Sequence, residues 1–114
     1  MTNEYQQRPF DARELQKQIG LNNLFAISGG RIFAVRNEDQ ETVEVILPVG
    51  KGYRVAITLG YDDTYIVRRE FVRGGKVFTK GVQKNVYFDE VGDVAYYASC
   101  FVNVDFPLVE SAVK

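Results

Sequence analysis

A chain of 114 residues, 46 % apolar and 25 % charged, has the composition of one globular domain with a single core. Its 14 Lys and Arg against 15 Asp and Glu leave a net charge of −1, which argues against coating nucleic acid through bulk charge. Histidine is absent and Cys100 is the single cysteine, which removes Ser-His and Cys-His nucleophile pairs, the usual zinc sites and any disulfide within these residues.

Carboxylate chemistry, with or without Mg²⁺, stays formally open. No run of about twenty apolar residues exists, so no transmembrane helix is expected. The opening MTNEYQQRPFDAREL is polar and lacks a signal-peptide core, which places the protein in the cytoplasm of the cell that makes it.

The first predicted element is a short helix. Asp11 is its N-cap, with Glu14 three residues on as in a capping box, and Phe10 and Leu15 have the spacing of a hydrophobic staple. Ala12, Leu15 and Ile19 share one face, and Gly20 suits the stop. Residues 1–9 read as a loose tail.

From Leu24 to Thr79 the pattern reads as β. LFAIS and RIFAV flank Gly29-Gly30, which reads as the type I′ turn of a hairpin. NEDQE is a polar turn into TVEVILP, and Pro48 to Gly52 breaks the pattern again. In the next strand Tyr53, Val55, Ile57 and Leu59 share one face, with Arg54, Ala56 and Thr58 on the other. Gly60-Tyr61-Asp62-Asp63 is a turn, followed by a strand carrying Tyr65, Val67 and Phe71 on alternate positions. Gly74-Gly75 is a second tight turn, leading into KVFTK. Such short connections make these strands antiparallel neighbours, because a parallel crossover needs a dozen or more residues.

A last helix begins near Asp89 as N-cap, with Val91, Val94, Ala95, Ala98 and Phe101 at helical spacing. Gly92 weakens it by about 1 kcal/mol relative to Ala. Residues 103–114 show no period and read as a second loose tail. The expected fold is an α+β domain over residues 1–114: an antiparallel meander of five to six strands, with a short N-terminal helix and a C-terminal helix packed on one face.

Four groups of residues are candidates for chemistry. The stretch containing Arg68, Arg69, Arg73, Lys76, Lys80 and Lys84 meets only one acid, Glu70, and with Phe78 or Tyr87 to stack on bases it can contact phosphates. Its ordinary reading is a solvated sheet face or a charged, protected edge strand. The acids Asp62, Asp63, Asp89, Glu90 and Asp93 can hold Mg²⁺ or share a proton, but acids in turns and first helical turns have commoner structural roles. Ser28-Gly29-Gly30 and Gly50-Lys51-Gly52 lack the strand–loop–helix context of a phosphate loop. Cys100, at the far end of the last helix, is read as a small core hydrophobe.

Most tyrosines are expected in the core or at its edge. Tyr61, beside two aspartates, is the one expected to be exposed, and Tyr61, Asp62 and Asp63 together form the candidate contact surface for a protein partner. A second copy pairing through an edge strand is a further candidate partner.

LQKQIGLNNLFAISGGRIF followed by YRVAITLGYDDTYIVRREF resembles a family of small uncharacterised proteins encoded by phages, prophages and other mobile elements. Its members read I-L-x-Q-L-G-G-x-x-F-x-x-M-T-G-A, then Y-V-x-I-x-L-N-x-x-D-x-Y-D-V, and end in a short helix with an aromatic. Leu15, Gln18, Ile19, Gly20, Phe25 and Ile27 match the first block; Val55, Ile57, Leu59, Asp63, Tyr65 and Val67 match the second. Asn22-Asn23, Ser28-Gly29 and Ser99-Cys100 depart from it.

The resemblance covers residues 15 to 101 and implies a mobile-element origin and an α+β fold. It carries over no catalytic residue and no cofactor. The expected function is that of a non-enzymatic accessory protein that binds and modulates another protein, such as a host or defence factor. The alternative is a nucleic-acid-binding module built on the hairpin 68–84.

Overall fold

The structure, a computed structural model, describes residues 8–100. Its elements run α1 (Ala12–Ile19), α2 (Leu21–Ser28), β1 (Phe33–Arg36), β2 (Thr42–Gly50), β3 (Tyr53–Leu59), β4 (Tyr65–Arg73), β5 (Lys76–Val86) and α3 (Val91–Ser99). The five strands form one sheet in chain order, each antiparallel to the next. The fold is therefore α+β.

Helix α1 begins as its sequence dictates. Asp11 Oδ1 accepts from the backbone N–H of Arg13 at 2.9 Å and of Glu14 at 3.4 Å, occupying two donors that the first helical turn leaves open. Leu15 and Ile19 are buried, and Phe10 packs on the core with its ring edge-on to Tyr65. Gly20, at φ 89°, ends the helix with its N–H on the Gln16 carbonyl.

The segment after Gly20 corrects the sequence reading. LFAIS is not a strand but the body of α2, and Gly29-Gly30 is not a hairpin turn. Gly29 sits in the left-handed region at φ 67° and closes the helix, its N–H bonding the Leu24 and Phe25 carbonyls. Leu24, Ile27 and Ser28 are buried at helical spacing, and the Ser28 hydroxyl lies within reach of two acceptors, the Leu24 carbonyl in the last turn and the Arg31 carbonyl beyond it. A short apolar run followed by two glycines fits either structure locally; packing of Leu24 and Ile27 against the sheet decides for the helix.

The Gly74-Gly75 turn holds as read, whereas the break expected from Pro48 to Gly52 narrows to Lys51 and Gly52. Gly74 and Gly75, at φ 59° and 79°, connect Arg73 to its partner Lys76 as a two-residue hairpin turn. Lys51 and Gly52 do the same between β2 and β3, with β2 running on through Pro48 to Gly50. The last helix starts one residue later than expected: Glu90 is the N-cap position, and its carboxylate accepts from the Tyr87 N–H rather than from the helix. Of the loose tails expected at 1–9 and 103–114, only Arg8 and Pro9 are described, and Arg8 is not loose but bound to Asp63 and the Gly60 carbonyl; Phe101 lies outside the described residues.

The helices lie on one face of the sheet. There Leu15, Ile19, Leu24 and Ile27 meet Val45, Leu47, Val55, Ile57, Tyr65 and Val67, and α3 adds Val91, Val94, Ala95 and Ala98. Burial of each large aliphatic side chain contributes roughly 1.5–3 kcal/mol. Gly92 is where α3 meets α1: a Cβ there would stand 2.4 Å from the Ile19 carbonyl oxygen and 2.8 Å from Asn23 Nδ2. Its helix-propensity cost is thus offset by close packing that no other residue permits.

The second face is also largely buried, although charged and polar residues stand among its apolar ones. Ile46, Ala56, Arg68 and Val82 stand side by side across four strands, followed by Arg54 opposite Glu70. Glu44, Thr58, Arg68 and Glu70 are all buried. Two carboxylates and two guanidiniums connect there: Glu44 with Arg68, Arg68 with Glu70 at 3.4 Å, and Glu70 with Arg54 at 2.8 Å. Opposite charges balance within the group, which is the condition under which buried charge is tolerated.

Candidate functional site

The loop from Gly60 to Thr64 joins β3 and β4 at one end of the sheet. Backbone bonds from Gly60 N to Thr64 O at 2.8 Å and from Asp63 N to Gly60 O at 3.2 Å close it. Asp62 Oδ1 accepts from the Thr64 N–H at 3.1 Å and its hydroxyl at 2.7 Å. The Thr64 hydroxyl foremost, then its N–H, holds the Asp62 carboxyl below the ordinary carboxylate value. Asp63 adopts φ 66°, and Arg8 Nη1 reaches both its carboxylate at 2.6 Å and the Gly60 carbonyl at 2.9 Å.

Both aspartates therefore shape the loop. Asp62 spends its carboxylate on an Asx-type turn and Asp63 on an ion pair with Arg8. Among the described residues no three His, Cys, Asp or Glu side chains are grouped to hold a metal ion. Tyr61 lies between Gly60 and these two aspartates and is 71 % exposed.

Beside the loop opens a cleft of about 340 Å³, lined by Tyr61, Asp62, Thr64, Ile66, Lys84 and Asn85. A β-bulge makes this possible. Tyr65 pairs with Val86 and Val67 with Gln83, so Ile66 faces two residues of β5, Lys84 and Asn85. Asn85 takes the left-handed conformation at φ 59°, as a bulge residue readily does. Because Tyr65 pairs with both Leu59 and Val86, the Tyr61 loop and the turn carrying Tyr87 and Phe88 leave the sheet at the same end. Tyr87 and Phe88 are exposed by 57 % and 64 %, giving that end three solvent-facing aromatics. Phe88 stands just before the last helix, and nothing in its local sequence marks it as exposed.

The basic stretch does not form one surface. Arg68 and Arg69 are buried, and as consecutive strand residues they point to opposite faces. Arg68 joins the ion network of the second face. Arg69 enters the helix face, where its Nε donates to the Ala98 carbonyl at 2.7 Å and its Nη2 to those of Tyr97 at 2.9 Å and Cys100 at 3.2 Å. Arg73, Lys76 and Lys80 are exposed near the β4–β5 hairpin, with Lys80 as the extra residue of a second bulge. Phe78, 45 % exposed, lies there beside Phe71, whose ring also meets Tyr53. Lys84 stands roughly 26 Å from Lys76 and roughly 13 Å from Lys80 along β5, at the end occupied by the Tyr61 loop.

The remaining candidates are distributed. Asp89 and Asp93 are exposed, and Glu90 is engaged by the Tyr87 N–H. Cys100 is half-buried at the carboxyl end of α3, its thiol on the Tyr96 carbonyl at 3.3 Å. Of the described tyrosines only Tyr65 is buried, with its hydroxyl donating to Gln18 Oε1 at 2.6 Å. Tyr53 is half-buried, and Tyr61, Tyr87, Tyr96 and Tyr97 are exposed, more than strand alternation suggests. Among the described residues no helix is long and apolar enough to cross a membrane. Comparison with family models, with curated proteins and with solved structures finds no match to this chain.

Proposed function

We propose that the protein acts without catalysis, as a small accessory protein of phage or mobile-element origin that binds and modulates another protein in the bacterial cytoplasm. The contact surface is the sheet end carrying Tyr61, extended by Lys84, Tyr87 and Phe88. One observation supports this above the others: Tyr61 is exposed on a loop whose backbone is pinned by Thr64, Asp62 and Arg8. A rigidly presented aromatic loses little conformational freedom on binding, and tyrosine is enriched in protein interfaces for that reason. The resemblance to mobile-element proteins supports the origin and the class of partner.

The test is capture of bacterial proteins on the immobilised chain, with identification of what binds. Substitution Tyr61→Ala removes the exposed ring and keeps the Asp62, Thr64 and Arg8 side chains that bond within the loop. Proteins retained equally by the wild type and by this variant do not use the site.

A second reading, nucleic-acid binding, is favoured by the exposed Arg73, Lys76 and Lys80 beside the half-exposed Phe78. It does not include Arg68 and Arg69, which are buried, and Lys84 lies toward the other end of β5, beside the Tyr61 loop. Phosphate contacts strengthen as salt falls, so absence of binding to single-stranded and duplex oligonucleotides at low salt removes this reading.

A further inference from the structure

Helix α2 is apolar on two sides, and only one of them is packed. Leu24 and Ile27 enter the core, whereas Leu21 and Phe25, one turn apart, are 65 % and 59 % exposed. Among the described residues this outer pair stays exposed, an apolar patch of the kind that marks a contact surface. Phe25 is held in place, its ring lying against Gly30 so closely that a Cβ there would come within 3.0 Å of it.

Next to this pair, a cleft of about 400 Å³ opens between α1 and α2, lined by Arg13, Gln16, Lys17, Gly20, Leu21 and Leu24. On α1 the positions of Arg13 and Lys17 place their charges on the cleft side, while Glu14 lies on the side of Gln18, with which it hydrogen-bonds. Arg31 follows the other end of α2, its Nε on the Ser28 carbonyl. From Leu15 to Asn37 the chain carries Lys17, Arg31 and Arg36 and no acid. The apolar strip is thus bordered by positive charge at both ends.

We infer that this α1–α2 surface is a docking site for an acidic, amphipathic segment of a protein partner. Apolar anchors of that segment cover Leu21 and Phe25 and enter the cleft, and flanking Asp or Glu side chains meet Arg13, Lys17 and Arg31. The apolar strip supplies affinity, while the charges select the sign of the partner and speed its approach. This surface lies outside the Tyr61 loop and its operation is separate from that loop.

The test is selection of binders from a displayed random-peptide library on the immobilised full-length chain. The recovered peptides are expected to combine Asp or Glu with aromatic or aliphatic residues. Their binding should fall at least tenfold in the pair Arg13→Glu and Lys17→Glu and in the pair Leu21→Ser and Phe25→Ser, and should persist in Tyr61→Ala. Because all four positions are exposed or cleft-lining, unchanged circular dichroism and thermal midpoints are expected to accompany the loss. Recovery of no peptides, of peptides without acidic enrichment, or of binders indifferent to both pairs overturns the proposal. So does binding to phosphatidylserine vesicles that is abolished by the same pairs in the absence of peptide selection, which assigns the surface to lipid. Retention of library peptides by Tyr61→Ala together with loss of captured bacterial proteins separates this site from the loop.

Discussion

Arg69 Nε lies 2.7 Å from the Ala98 carbonyl oxygen, joining the middle of β4 to the last turn of α3. Its Nη2 takes the Tyr97 and Cys100 carbonyls as well, so one guanidinium satisfies acceptors that a helix leaves open at its carboxyl end and complements the negative pole of the helix dipole. An arginine that looks from its neighbours like part of a nucleic-acid surface is a strut between sheet and helix.

Replacing Arg69 by Ala is expected to destabilise the fold by about 2–4 kcal/mol, because it removes charged hydrogen bonds and leaves carbonyls in a buried setting without donors. Lys at the same position recovers only part of the loss, since an ammonium cannot reproduce the planar fork. Urea unfolding of the three proteins measures both differences. A nucleic-acid role for Arg69 instead predicts altered oligonucleotide binding at unchanged stability.

Gly92→Ala sets two effects of opposite sign against each other. Helix propensity favours Ala by about 1 kcal/mol. The added methyl would meet the Ile19 carbonyl oxygen at 2.4 Å, and forcing α1 and α3 apart costs about 1–3 kcal/mol or more. Net destabilisation is expected, read as a lower denaturation midpoint at unchanged denaturant slope. A more stable variant would mean that α1 and α3 do not approach so closely.

The ion group on the second face gives a different signature. Glu70 is 4 % exposed and sits between Arg54 and Arg68. Glu70→Ala is expected to cost about 3–5 kcal/mol, the penalty for leaving buried charge without its counter-charge. Combining it with Arg54→Ala should cost clearly less than the two single losses added together, because the pair is lost as a unit. Strict additivity in such a cycle contradicts a coupled network.

Tyr65 supplies a pH dependence. Burial foremost, then the nearby Glu14 carboxylate, raises its phenol above the ordinary tyrosine value of 10.0. A raised folded value means that the native state holds its proton longer than the unfolded chain. Stability from this group is therefore complete below pH 10.0 and is lost as pH rises from there through the folded value. Thermal midpoints recorded between about pH 9 and about pH 11 should fall more steeply for the wild type than for Tyr65→Phe. Parallel curves would mean that Tyr65 titrates alike in both states.

Local chemistry made much of the fold legible. The Asp11 cap, the Gly74-Gly75 turn and the alternation in β2, β3 and β4 are all specified within a few residues, and each appears where its chemistry places it. The helical spacing of Val91, Val94, Ala95 and Ala98 likewise survives as the packed face of α3. LFAIS failed because five residues hold too few periods to separate strand from helix, and a glycine pair ends a helix as readily as it turns a hairpin. The exposure of Tyr61 was legible from its turn, since a glycine before it and two aspartates after it at a loop tip leave the ring no core to enter. The partners of Arg68 and Arg69 were not legible: they lie 24 and 29 residues away in Glu44 and Ala98, and only the register of the sheet and the placement of α3 reveal them.

The central claim is that the Tyr61 end of the sheet is the surface that binds a protein partner. Its most direct measurement is quantitative capture of bacterial proteins by the wild type, by Tyr61→Ala and by Arg73→Glu with Lys76→Glu at the opposite end of the sheet. The prediction is that proteins enriched on the wild type drop about tenfold or more on Tyr61→Ala, the scale of an exposed aromatic anchor, and stay unchanged on the hairpin pair. Equal enrichment on Tyr61→Ala, or loss confined to the hairpin pair, would contradict it.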